Sequence, residues 1–81
     1  MKTNDIKKGT RLKLACGWYG TMADNKKGNT RIVDVEGFER ETGSVYAHDI
    51  VIAKNAAGEW EPVEHTPDQI LLRVKLRKLG W

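Results

Sequence analysis

The sequence has a single cysteine, Cys16, among 81 residues. An internal disulfide is therefore excluded, which fits a reducing compartment, where a lone cysteine is commonly a small buried apolar residue. Long apolar runs are missing too. No stretch approaches the ~20 residues of a membrane-spanning helix, and the opening MKTNDIKKGT lacks an apolar segment of the signal-peptide kind. These absences give the expectation of a cytoplasmic protein with no membrane partner. Ligand pairs at zinc-site spacing are absent, and the glycines stand singly, with no phosphate-cradling loop ahead of a helix. Nucleophilic catalysis needs a base beside the nucleophile and a third group to orient it. Cys16, His48 and His65 sit apart in sequence, and the adjacent pair His48-Asp49 is better explained as a corner whose side chains bond the backbone. The expectation is a protein that is not an enzyme, with no cofactor, no metal and no small-molecule substrate.

What remains is a short chain with segregated charge. Eighty-one residues make one domain, because a split would leave two pieces too small to bury a core. The net charge of +3 conceals a pattern. Residues 1–31 carry eight Lys/Arg against Asp5 and Asp24, residues 32–69 carry two against nine acids, and residues 70–81 carry four with no acid at all. A basic start, an acidic middle and a basic tail suggest charge separated on the surface.

The stretch Trp18–Glu36 has the pattern of a β-hairpin. Two extended runs flank Asn25-Lys26-Lys27-Gly28, where Asn suits the first position of a type I turn and Gly the left-handed residue that closes it. Beyond the turn, Val33 and Val35 alternate with Asp34 and Glu36, the period of a strand with one wet face, which leaves Ile32 outward. Ahead of the hairpin, Arg11–Ala15 forms a first strand in which Leu12, Leu14 and Cys16 point one way and Arg11 and Lys13 the other. Gly17 makes the tight turn into a strand over Trp18–Asp24 whose inner face is open, and Gly20 within it predicts a bulge or sharp bend. Residues Gly37–Gly43 are expected as a polar loop with Phe38 tucked back as a plug, followed by a short strand at Ser44–Ala47, a corner at His48-Asp49 and a strand at Ile50–Lys54. Asn55-Ala56-Ala57-Gly58 repeats the Asn-x-x-Gly turn and returns the chain through Glu59–Val63, with Pro62 marking an edge.

At Thr66-Pro67-Asp68-Gln69 the pattern changes. Thr as cap, Pro at the first helical position and Gln at the third make a capping box. Leu72, Leu76 and Leu79 then recur at helical spacing, with cations near the C-terminal end. The competing alternation Leu72-Arg73-Val74-Lys75-Leu76-Arg77 would suit a strand, but the cap selects the helix, and Gly80 stops it. The fold expected is mainly β (α+β): a small, partly open antiparallel β-barrel of five to six strands over about residues 6–63, with a C-terminal α-helix over about 67–79.

Lys8-Gly9, the alternating Leu12-Lys13-Leu14, Gly17, Gly20, the lysine-glycine turn and Val35-Glu36-Gly37 together resemble a KOW-type motif over Ile6–Gly37. The sequence departs from that motif after Gly20, where Met22-Ala23-Asp24 replaces the usual glycine-valine step. The resemblance implies part of a Src-homology-3-like barrel and contact with RNA or other proteins. The whole chain, through GNTR, GSVYAHDI and the LGW stretch, also resembles small bacteriophage and prophage proteins, which implies a small factor acting on a host component.

Two binding surfaces follow. The basic one comprises Lys7, Lys8, Arg11, Lys13, Lys26 and Lys27, with Trp18 or Tyr19 available to stack on an unpaired base of RNA or DNA. The alternative is a protein-binding module, an adaptor or inhibitor of a host protein. Its patch would be acidic, from Asp34, Glu36, Glu39 and Glu41, or aromatic, from Trp60 and Trp81.

Overall fold

The computed structural model describes residues 1–25, 30–36 and 40–80. Those residues form six strands, β1 (Arg11–Leu14), β2 (Tyr19–Asp24), β3 (Thr30–Glu36), β4 (Arg40–Tyr46), β5 (Ile50–Lys54) and β6 (Trp60–Pro62), and one α-helix, α1 (Pro67–Lys78). The strands make a single antiparallel sheet in the order β4-β3-β2-β1-β5-β6. β1–β4 run as a meander, a short 3-10 turn at Ala47–Asp49 redirects the chain, and β5 returns to the free side of β1. The sheet does not close: β4 and β6 are its two edges. This is the mainly β, partly open, barrel-like architecture with a C-terminal helix that the sequence predicts.

Alternation sets which side chains go inward. Leu12 and Leu14 of β1, Met22 of β2, Val33 and Val35 of β3, and Ile50 and Ala53 of β5 form the core with Ile6 and Val63. Ile50 and Ala53 both face inward although three residues apart, because the β1–β5 register shifts between Lys13 and Leu14. Ile32 lies on the outer face, as the period of β3 requires.

The β1–β2 and β5–β6 turns follow their glycines. Leu14 N donates to Trp18 O at 2.8 Å and Gly17 N to Leu14 O at 2.9 Å, with Gly17 at φ +97°. In the second, Gly58 N donates to Asn55 O at 2.9 Å, while Asn55 Oδ1 accepts from Ala57 N and Glu59 N at 3.0 Å each. The side chain of Asn55 thus ties the turn it opens. Pro62 lies on the edge strand β6, where its missing N–H costs no ladder bond.

Four expectations need correction. Cys16 is exposed, because it lies in the turn after β1 rather than on the strand. Gly20 is not a bulge: the β2–β3 register shift falls between Met22 and Asp24, and Gly20 answers instead to a close approach by β3. The second long strand of the meander is not the short Ser44–Ala47. It runs Arg40–Tyr46, since Glu36 pairs with Arg40 and the ladder continues to Thr30 with Tyr46. Leu79 leaves the leucine stripe and is 74% exposed, because α1 ends at Lys78. At the base of the first turn the Asn25 side chain reaches back to the start of the chain, donating to Thr3 O at 3.0 Å and Ile6 O at 2.7 Å. Lys26, Lys27 and Gly28 of the first turn, the Phe38 plug and Trp81 lie outside the described residues.

The capping box forms as its residues predict: Gln69 N donates to Thr66 Oγ1 at 3.2 Å and Thr66 N to Gln69 Oε1 at 2.9 Å. The helix rests on the Ala47–Asp49 turn. Its inward side is Gln69, Leu72, Arg73 and Leu76, and its outward side carries Ile70, Leu71 and Val74. Before β1, residues 1–3 pair with the segment after β6. Glu64 N donates to Met1 O at 2.7 Å and Thr3 N to Glu64 O at 3.0 Å. None of the described helices is long and apolar enough to cross a membrane.

Candidate nucleic-acid interface

Because Leu12 and Leu14 turn inward, Arg11 and Lys13 project from the outer face of β1. The ladders extend that face sideways. Lys13 lies opposite Tyr19 of β2 and Ile52 of β5, and Lys54 lies opposite Trp60 of β6. On the curled sheet the two aromatic side chains reach across the central strands. Their ring centroids are 5.7 Å apart with planes at 53°. Lys13 Nζ lies 5.4 Å and Arg11 Cζ 5.7 Å from the Tyr19 centroid, and Lys54 Nζ lies 5.4 Å from that of Trp60. These distances are within cation–π range. Tyr19 and Trp60 are each 40% exposed. The result is a two-ring platform ringed by three cations on the outer face.

The remaining sequence-predicted residues divide. Lys7 and Lys8 are exposed in the turn that precedes β1, pinned by Gly9 N donating to Met22 O at 2.8 Å. Lys26 and Lys27 lie outside the described residues. Trp18, next to Tyr19 in sequence, falls on the other side of the sheet, beside a groove lined by Leu14, Val35 and Val45. It is not part of the platform. Among the described residues the acidic set does not gather on one face. Asp34 and Glu36 share the outer face but each meets a cation: Asp34 Oδ2 lies 3.5 Å from Arg40 Nε, and Glu36 is ion-paired with Arg11. Glu41 pairs with Val35 in the ladder and so projects to the opposite face, while Glu39 and Trp81 lie outside the described residues. Trp60, assigned from sequence to the protein-binding set, belongs with Tyr19.

Lys54 is the residue that sequence reasoning missed. The signal was available in the Asn55–Gly58 turn. Closing that turn with Asn55 N donating to Glu59 O at 2.9 Å places Lys54 directly opposite Trp60. The meeting of Trp60 with Tyr19, by contrast, depends on β5 returning to β1, which no local pattern encodes.

Away from the platform lie the two histidines. His48 is buried in the Ala47–Asp49 turn with its ring stacked on Tyr46 at 5.1 Å, and Asp49 Oδ2 accepts from Tyr46 N at 3.3 Å, the corner role expected of it. Thr3 Oγ1 donates to Glu64 O at 2.9 Å, so His65 Nδ1, 3.1 Å from the same oxygen, is the donor in that contact. Burial pushes the pKa of both imidazoles down. For His48 the nearby Asp49 opposes this while Arg73 and Arg77 add to it; for His65 Arg73 and His48 add to it. A histidine held neutral by the fold stabilises it fully above its unfolded pKa of about 6.5. That stability is lost as the pH falls from there through the lowered native value. The urea midpoint at about pH 5 is therefore expected to lie below that at about pH 7.5, and replacing both histidines by glutamine is expected to remove most of the difference. Equal midpoints in the native sequence would contradict the shifts. Among the described residues no group of three His, Cys, Asp or Glu is placed to hold a metal ion.

Comparison with known proteins finds no matching family model, no matching curated protein and no matching solved structure.

Proposed function

We propose that the chain is a non-enzymatic accessory binding module that takes single-stranded RNA or DNA on the outer face of β1, β2, β5 and β6. The observation that carries this is the exposed Tyr19–Trp60 pair with Arg11, Lys13 and Lys54 around it. Unpaired bases stack on aromatic faces, and the phosphates between them are met by cations spaced along the groove. Duplex is a poorer fit, since its bases are already stacked. The resemblance of residues 6–37 to KOW-type motifs, which contact RNA or proteins, agrees with this reading and forms part of the proposal.

The test is titration of labelled single- and double-stranded RNA and DNA at low and at physiological salt. Single strands are expected to bind more tightly, with affinity falling as salt rises. Trp60→Ala and Tyr19→Ala are each expected to cost about 1–3 kcal/mol of binding, and Lys54→Ala to flatten the salt slope by about one. Absence of binding even at low salt would overturn the reading. In that event the adaptor alternative takes over, favoured by the outward apolar residues Ile70, Leu71 and Val74 of α1.

A further inference from the structure

A second cationic feature lies where α1 crosses the 3-10 turn, away from the aromatic platform. There a groove of about 380 Å³ is lined by Tyr46, His48 and Asp49 on one wall and by Arg73 and Arg77 on the other. Positions four apart on a helix project from one side, so the two guanidinium groups face the groove together. Two arginines against one carboxylate leave the lining positive, and that carboxylate is already committed to the backbone N–H of Tyr46.

Two polar atoms at this place are buried with no hydrogen-bond partner among the described residues, Arg73 Nε and His48 Nδ1. The His48 side chain is only 7% exposed. Buried polar atoms are nearly always satisfied, and one that is not calls for a ligand or a cost of folding; Arg73 Nε is a donor, and His48 Nδ1 is one in the tautomer that carries its proton there. A guanidinium fork matches the oxygens of a phosphate two at a time, and a neutral imidazole beside it can donate a further bond. We propose that this groove is a phosphate site, in which Arg73 and Arg77 hold a phosphate group against the Tyr46–His48 stack. The site stands apart from the nucleic-acid reading, since it shares no residue with the platform. Its phosphate comes either as the free ion or as the end of a phosphate ester.

The experiment follows backbone amide and imidazole resonances by NMR while the full chain is titrated with inorganic phosphate, with a nucleoside 5′-monophosphate, and with the unphosphorylated nucleoside. Chloride at equal ionic strength is the control. Saturable shifts at Ala15, Tyr46, His48 and Asp49 are expected with inorganic phosphate and absent with chloride and nucleoside. Tighter binding of the monophosphate than of the free ion would identify an ester as the source; equal or weaker binding would identify the ion. Arg77→Gln, at an exposed position that the core does not need, is expected to weaken binding about tenfold or more. Arg73→Gln should do the same in a chain whose spectrum remains folded. Trp60→Ala is expected to leave phosphate binding unchanged, which separates this site from the platform. No saturable shift, or an unaltered affinity in Arg77→Gln, would overturn the proposal.

Discussion

Asn25→Ala is expected to lower the stability of the fold by about 3 kcal/mol, more than Arg31→Met, although it removes the smaller side chain. Arg31 occupies an inward position of β3 and is 1% exposed. Its guanidinium donates to Asn25 Oδ1, to Asn4 Oδ1 at 2.6 Å and to Thr30 O at 2.8 Å. Asn25 in turn donates to the carbonyls of Thr3 and Ile6, so one amide joins the base of the β2–β3 hairpin to the Thr3–Asp5 turn. Deleting the amide removes a hydrogen bond from a charged donor, worth about 1.5 kcal/mol or more, and takes one bond each from the carbonyls of Ile6 and Thr3, of which Thr3 O still accepts from Ile6 N at 3.3 Å, at a further cost of about 1–2 kcal/mol. The charge itself stays buried, where burial already holds the Arg31 pKa below its usual value. Arg31→Met is different in kind. It removes the charge together with its desolvation cost, which offsets much of the lost bonding. Urea denaturation of both single variants and the double checks the ordering. The double variant is expected to cost less than the sum of the singles, because the two side chains bond each other. If Arg31→Met proves the more damaging, the network is organised around the charge and not the amide.

Much of this fold was legible in the sequence. The Leu12/Leu14 and Val33/Val35 alternations set two inward faces, Asn55–Gly58 set a turn, and Thr66-Pro67-Asp68-Gln69 set the helix start; each is a local pattern with a local cause. What escaped was decided by neighbours distant in the chain. Residues Arg40–Ser44 offer no apolar alternation, and their strand exists because the β3 backbone presents a ladder to an edge. Arg31 shares the inward face of Val33 and Val35 by the period of β3, but what allows a charge there is the amide oxygens of Asn4, in the Thr3–Asp5 turn, and of Asn25, after β2. The same holds at the candidate interface. Arg11, Lys13 and Tyr19 were visible as a basic and aromatic set, but Trp60 and Lys54 joined them only through the β1–β5 pairing. Val74 faces outward with Ile70 and Leu71, so α1 is apolar on two sides, and this is why its sequence also alternates like a strand.

Gly20→Ala is expected to destabilise the chain by about 3 kcal/mol, the upper end for overpacking a core. Gly20 lies between Leu12 of β1 and Val35 of β3 in the ladders, at the centre of the inward face. Its backbone is not left-handed, so conformational freedom is not the reason for glycine here. Space is. A Cβ at this position would stand 2.7 Å from Val33 Cγ1 and 2.9 Å from the carbonyl oxygen of Asp34. The first contact involves a side chain that changes size on mutation; the second involves backbone, and relieving it requires β3 to move away from β2. That distinction makes the account testable through a second change. Val33→Ala in the Gly20→Ala background removes one of the two collisions, so it is expected to recover part of the lost stability, even though Val33→Ala alone opens a cavity and is destabilising. Recovery must be incomplete, because the Asp34 carbonyl remains in the way. A displaced β3 would also pull Glu36 from Arg11, the cation beside Tyr19. The folded fraction of Gly20→Ala is therefore expected to show altered resonances at Arg11 and Tyr19 as well as a lower urea midpoint. A Gly20→Ala chain of native stability, or a double variant in which the two costs simply add, would show that β2 and β3 are not held at this separation by the missing side chain.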